Sequence, residues 1–409
     1  MRSKDLGNVV IEQNNKFKTG CIGCFFRLDL TPKNITISTL LAEVQSLLSE
    51  KYNTINRQSK RLSSLYDASL QIFPEINGNS IVMSYMLNFI EPREILDPEY
   101  DYAKIMETFF SIVHRPLIDE KVVNLAKSTL HSNIRDFFEL PENRALHQFM
   151  KLWFKNQPNY QYVNVVNRDI LDQLSLEDIQ DFVKILFKSP LMIYGQVADT
   201  NLFNKIGHSY FNIFKSKADF VNPQLVVDRD IDTFDESSDA QYEQAQVLMG
   251  YFYNHIQSMP RPWIGPLIMS YYLANTESSI LFKKVREQLG ATYGVDAFND
   301  ENHSLLLIRT GVNKNQVKQV KEIIQGCLSD LVCGLVDQEA FDHSKQLLIN
   351  NFNSYGDIQE SMMIKAVTEN LIGSFSTIPN MIKLIKDYTV NDLINLAKTM
   401  QLNGSYCLL

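Results

Sequence analysis

Residues 279–293, Ser-Ile-Leu-Phe-Lys-Lys-Val-Arg-Glu-Gln-Leu-Gly-Ala-Thr-Tyr, carry more information than any other stretch of this chain. Ile280, Leu281, Val285 and Leu289 recur at helical spacing, and Gly290 stands where a C-cap glycine belongs. Tyr293 opens a strand-like run that ends near Phe298. The segment reads as helix, tight turn, strand. On physical grounds alone, Arg286 on such a helix is a solvated or salt-bridged side chain, and Tyr293 is a half-buried strand aromatic.

Outward from this segment the chain repeats itself weakly. Ser175-Leu-Glu-Asp-Ile-Gln-Asp-Phe-Val-Lys184 in the first half resembles Thr389-Val-Asn-Asp-Leu-Ile-Asn-Leu-Ala-Lys398 near the end of the second. Each copy begins with a Ser or Thr cap and runs as an amphipathic helix into a short apolar strand, Leu191 to Tyr194 or Ser405 to Leu408. Earlier in each half a helix feeds a strand through a small-residue turn: Leu62 to Ala68 into Ser69-Leu-Gln-Ile-Phe73, and Leu281 to Gly290 into Thr292 onward. Between the halves, Asn222-Pro223, Asp228-Arg-Asp-Ile-Asp-Thr-Phe-Asp235 and Glu236-Ser-Ser-Asp239 form an acidic, turn-rich stretch. The expected organisation is a first α+β domain over 1–217, a surface linker over 218–241 and a second α+β domain over 242–409. A strand at Phe17 to Leu30, a hairpin turning at Asn77-Gly78 and helical blocks after it favour α+β layers with a mainly antiparallel sheet in each half.

Composition narrows the function. The chain has 409 residues, 45% hydrophobic and 21% charged, ample for two packed interiors. Its 39 basic residues against 47 acidic ones give a net charge of −8, with no basic stripe to track phosphates, so nucleic acid is not the expected partner. No apolar run reaches the ~18 residues of a membrane span, and Met1 to Lys18 holds no signal-peptide core. A cytoplasmic location is expected. Five cysteines, an odd and scattered number, argue against a disulfide framework. Cys21-Ile-Gly-Cys24 lies in a strand-like run, where residues three apart point to opposite faces, so the pair reads as two ordinary thiols.

No metal or nucleophile motif is present. The histidines are His114, His131, His147, His208, His255, His303 and His343, and no two lie one helical turn apart. Glu339 and His343, four apart on a predicted helix, read as a solvated helix-face contact. Phosphate loops, dinucleotide fingerprints and nucleophile elbows are absent from the sequence.

Leu281, Phe282, Arg286, Glu287, Gly290 and Tyr293 match the helix-turn-strand element in the second half of the insulinase/pitrilysin family of zinc peptidases, which this chain resembles over nearly its whole length. The two-half layout, the acidic linker, Leu62-Ser-Ser-Leu-Tyr-Asp-Ala-Ser69 and Tyr194-Gly195 support the resemblance. One departure is Asn275-Thr276, where a glycine pair is common. The family carries its zinc on His-x-x-Glu-His after the first strand. The matching segment here, Ser38-Thr-Leu-Leu-Ala-Glu-Val-Gln-Ser-Leu47, has one carboxylate, Glu43, and no histidine. The chain thus resembles the non-catalytic members encoded beside a zinc-bearing partner in Gram-positive bacteria. That implies a clam-like shell of two similar halves, no metal or other cofactor in this chain, and no catalytic residue acting alone. It implies zinc in a homologous partner chain and peptide hydrolysis only in the complex. Arg286 and Tyr293 would contact the substrate backbone and the oxyanion of the reacting carbonyl. Ala68 to Phe73 corresponds to the edge on which catalytic members hold peptide by strand addition. Two other readings stand beside this one: a peptide-binding or scaffold protein of the same fold, able to pair as a homodimer and without hydrolysis, and a self-sufficient hydrolase, which the lack of a ligand cluster disfavours.

Overall fold

The structure is a computed structural model, and it describes residues 8–161, 166–214, 218–222, 232–253, 264–289 and 294–409. In chain order the first elements are β1 (Val9–Gln13), β2 (Thr19–Asp29), α1 (Pro32–Leu47), α2 (Ile55–Ser63), β3 (Ser69–Asn77) and β4 (Ser80–Ile90). There follow α3 (Tyr102–His114), α4 (Glu120–Glu139), α5 (Pro141–Trp153), α6 (Arg168–Gln173), α7 (Leu176–Leu186), β5 (Leu191–Val197) and α8 (Thr200–Phe211). The second series is β6 (Phe234–Ser238), β7 (Gln244–Phe252), α9 (Ile264–Leu273), α10 (Ile280–Leu289), β8 (Val295–Asp300) and β9 (Leu305–Asn313). It closes with α11 (Val317–Val332), α12 (Gln338–Ser354), α13 (Gln359–Ile372), α14 (Ile378–Asp387), α15 (Val390–Thr399) and β10 (Gln401–Leu408).

The repeat seen in the sequence is a repeat of topology. One five-stranded sheet has the order β1-β5-β2-β4-β3 and the other β6-β10-β7-β9-β8, the same arrangement shifted by five strands. Each is antiparallel except at one end, where β1 pairs parallel with β5 and β6 with β10. The fold is α+β, two mainly antiparallel sheets packed with helices. The predicted caps form as full capping boxes: the Ser175 hydroxyl accepts from the Asp178 N–H, and the Asp178 carboxylate accepts from the Ser175 N–H. Thr389 and Asp392 do the same for α15. Such reciprocal caps satisfy two of the donors that a helix start leaves unpaired.

The chain contacts divide into two compact units, Met1–Ile134 with Asn164–Leu225 and Gly356–Phe375, and Arg135–Val163 with Val226–Tyr355 and Ser376–Leu409. Neither unit is a continuous stretch. Helix α13, from late in the chain, lies in the first unit, where Met363, Val367 and Leu371 pack on Cys21, Phe25, Val82, Met86 and Tyr194 of the sheet. Helix α5, from early in the chain, lies in the second unit, where Phe149 and Trp153 pack on Leu248, Leu307 and Tyr406. The opposite face of the second sheet carries the larger core, formed by α9, α10, α11, α12 and α15. Residues 234–238, read as part of the acidic linker, form strand β6 instead. Asp235 and Glu236 fit there because the strand is the exposed edge of its sheet, where charged side chains remain in water, and Asp235 accepts from Lys321 Nζ at 2.7 Å.

Candidate functional site

Helix α1 covers the segment that the resemblance matches to the zinc motif. Thr31 caps it by accepting from the Asn34 N–H, and Pro32 occupies its first turn. Setting His-x-x-Glu-His on Glu43 puts Leu40 and Val44 where imidazoles would stand, and both are 0% exposed within the core. The next residue, Gln45, is also fully buried. It donates to the carbonyls of Ile112 at 2.8 Å and Val113 at 3.1 Å, and accepts from the Tyr85 hydroxyl at 2.7 Å. A buried amide so fully paired locks the helix against its neighbours. Glu43 is half-buried, and burial raises its carboxyl pKa. Aliphatic side chains at both histidine positions do not fit a zinc ion. Among the described residues no three His, Cys, Asp or Glu side chains group to hold a metal. Glu339 and His343 lie exposed on α12, and Cys21 and Cys24 are free, buried thiols on β2.

Helix α10 is built as its spacing predicts. Leu281 and Val285, one turn apart, are both 0% exposed, and Arg286, Glu287 and Gln288 are exposed. The chain enters through Ser279, whose hydroxyl donates to the Thr276 carbonyl at 2.6 Å. Lys284 donates to Asp330 at 2.8 Å, and Lys283 lies 3.8 Å from Asp337. Arg286, by contrast, makes no hydrogen bond or ion pair among the described residues. At the end of the helix the Leu289 carbonyl accepts from Gln316 Nε2 at 3.1 Å. Just before β8 the Gly294 carbonyl accepts from the Thr310 hydroxyl at 2.9 Å. Gly290 and Tyr293 fall outside the described residues.

Strand β3, the other expected site, is the edge of the first sheet and is mostly half-buried. Pro74 lies within it, as an edge allows, since a proline there costs no ladder bond when its nitrogen faces outward. Between β3 and α13 lies a shallow cleft, with room for about one water molecule, lined by the apolar side chains of Phe25, Met86, Val367 and Leu371 and by Glu75. Partial burial raises the Glu75 carboxyl pKa. The cleft could not be read from the sequence, because one wall comes from the first strands of the chain and the other from a helix near its end.

With these features in place, the chain can be set beside known proteins. Residues 173–348 match the family model described as the peptidase M16 inactive domain. A Bacillus subtilis protein described as an uncharacterized zinc protease, YmxG, is 18% identical over 313 residues, 75% of this chain and 74% of that one. Among solved structures, a conserved protein from Enterococcus faecalis superposes with a TM-score of 0.88 at 17% identity, covering 99% of this chain and 97% of its own. A peptidase M16 inactive domain from Pseudomonas fluorescens gives 0.80 at 11% identity, covering 100% and 96%. A protease from Helicobacter pylori gives 0.80 at 13%, covering 98% and 96%. The resemblance read from residues 279–293 therefore holds, and what these comparisons share with the chain is a peptidase-like fold.

Proposed function

We propose that this chain is the non-catalytic member of a two-chain zinc metallopeptidase. It completes the peptide-binding chamber of a homologous chain that carries His-x-x-Glu-His, and it supplies Arg286 and Tyr293 to that site. The observation that carries the reading is the pairing of two features: a helix α1 filled with Leu40 and Val44, and an α10 on which both lysines are tied to aspartates while the arginine has no partner among the described residues. The family match over 173–348 supports a peptidase-like chain without catalysis of its own. Zinc belongs to the partner on this reading, and none to this chain. Identical strand order in the two sheets supports taking the chain as two copies of one plan, with the second copy opening at β6 rather than at residue 242. A cytoplasmic location goes with the proposal; among the described residues no helix is long and apolar enough to cross a membrane.

Arg286 and Tyr293 would donate hydrogen bonds to the substrate backbone and to the oxyanion of the tetrahedral transition state, where one well-placed donor contributes about 2.7 to 4 kcal/mol. The chain should be purified alone and together with a homologous chain that carries His-x-x-Glu-His, and assayed on a quenched fluorescent peptide library. Alone it should hold no stoichiometric zinc and cleave nothing. In the pair, Arg286→Ala and Tyr293→Phe should each lower kcat by roughly 10²-fold with little change in KM or assembly. One tightly held zinc per isolated chain, or unaltered turnover in both variants, would overturn the reading. A second reading is a peptide-binding or scaffold protein without hydrolysis. It would gain if peptides bound the isolated chain and no partner restored cleavage.

A further inference from the structure

The free edge of the second sheet is already occupied by a side chain. Strand β8 pairs with β9 on one side only, with Ala297 opposite Ile308. On the other side the Ala297 N–H donates to Asn275 Oδ1 at 2.9 Å, and the Ala297 carbonyl accepts from Asn275 Nδ2 at 2.7 Å. The Asn275 backbone N–H points to the Val295 carbonyl at 3.5 Å. One carboxamide thus makes the pair of bonds that a residue of an added strand would make. Among the described residues no side chain bridges the free edge of β3 in this way.

Backbone geometry explains why asparagine stands here. Residue 275 follows the end of α9 with φ of 74°, the left-handed region that glycine enters freely and asparagine more readily than other side chains. Asparagine tolerates this turn and adds an amide that reaches β8.

The consequence is a closed loop. Asn275 and Ala297 stand on either side of α10 in the chain, so the bridge ties the segment that precedes the helix to the strand that follows it. The two remaining flanks are held as well, Leu289 by Gln316 and Gly294 by Thr310. We propose that Asn275 is a positioning residue for Arg286: by standing in for a sixth strand at the β8 edge, it fixes the helix that carries the guanidinium and excludes any competing strand from that edge. The proposal rests on the role given above to Arg286.

Two measurements test it. In the isolated chain, Asn275→Gly keeps the left-handed turn and removes the amide. Hydrogen exchange at the Ala297 N–H should then accelerate by at least about tenfold, with β7 and β9 unaffected. In the two-chain enzyme, Asn275→Gly should lower kcat about tenfold at unchanged KM and assembly. Arg286→Ala should also cost less in the Asn275→Gly background than in the unmodified chain, because a misplaced guanidinium has less to lose. Asn275→Asp, which keeps the acceptor for the Ala297 N–H, should recover part of the turnover. Strictly additive effects of the two substitutions would overturn the proposal, as would unchanged turnover in Asn275→Gly despite faster exchange at Ala297. If Arg286→Ala alone leaves turnover intact, the functional reading falls and the positioning role with it. Persistence of the exchange effect would then identify the bridge as an edge seal only.

Discussion

His147 lies on α5 with 8% of its surface exposed, its ring edge-on to Phe138 at 5.0 Å between centroids. Burial, helped by the nearby charge of Lys151, pushes its pKa down from 6.5 to about 4. The unfolded chain therefore takes up this proton near pH 6.5, and the folded chain only near pH 4. Stability present above pH 6.5 is lost as the pH falls toward 4. Urea midpoints measured across that window should slope downward in the unmodified chain and flatten in His147→Leu; an identical slope in both would place the acid sensitivity elsewhere. The thiols make a second residue-scale case. Cys21 and Cys24 are both 0% exposed, and burial pushes Cys21 up to about 12, far from the thiolate that reactivity needs. Cys333 is exposed. Native maleimide labelling followed by mass mapping should modify Cys333 and spare Cys21 and Cys24, and unfolding in urea should release all five thiols. Labelling of Cys24 in the native chain would mean that the β2 pairing opens.

At the scale of elements, what could be read early was what is local. The helical spacing of Leu281 and Val285, the Ser175 and Thr389 caps and the turn at Asn77-Gly78 all act within a few residues, and each appears where expected. Strands β1 and β6 were not legible. Neither alternates strongly, and each exists by pairing in parallel with a strand remote in the chain, Val9 with Ile193 and Phe234 with Gly404. Asn275 was visible only as a departure from a glycine pair, since its value depends on a left-handed φ and on the carbonyl and N–H of Ala297, well beyond the helix that follows it. The seat of α5 also required the fold. Gly250 and Gly404 sit opposite one another on β7 and β10, Gly250 under Phe149 and Trp153, Gly404 under Phe234 and Trp153. A Cβ on Gly250 would come within 2.4 Å of the Phe149 ring and 2.6 Å of the Trp153 ring, and both rings are buried with little room to yield. Gly250→Ala should therefore cost about 1–3 kcal/mol in chemical unfolding. An unchanged midpoint would show that α5 can ride up off the sheet.

At the scale of the molecule, the duplication was legible and the exchange was not. The capped helices that start after Ser175 and Thr389 announce two copies of one plan, but nothing local in 141–153 or 359–372 says which sheet each helix will cover. That exchange makes each unit depend on chain that is synthesised far from the rest of it. During translation the first sheet waits for α13 until its last residue, Ile372, has left the ribosome. Cys21, Phe25 and Met86 stay uncovered on that face in the meantime. Cutting the chain in the 223–231 segment should leave two fragments, each missing a helix that the other owns. Neither should melt cooperatively alone, and mixing them should restore one folded species, in the manner of a split reporter. Two fragments that each fold unaided would show that the exchanged helices are ornaments rather than keystones.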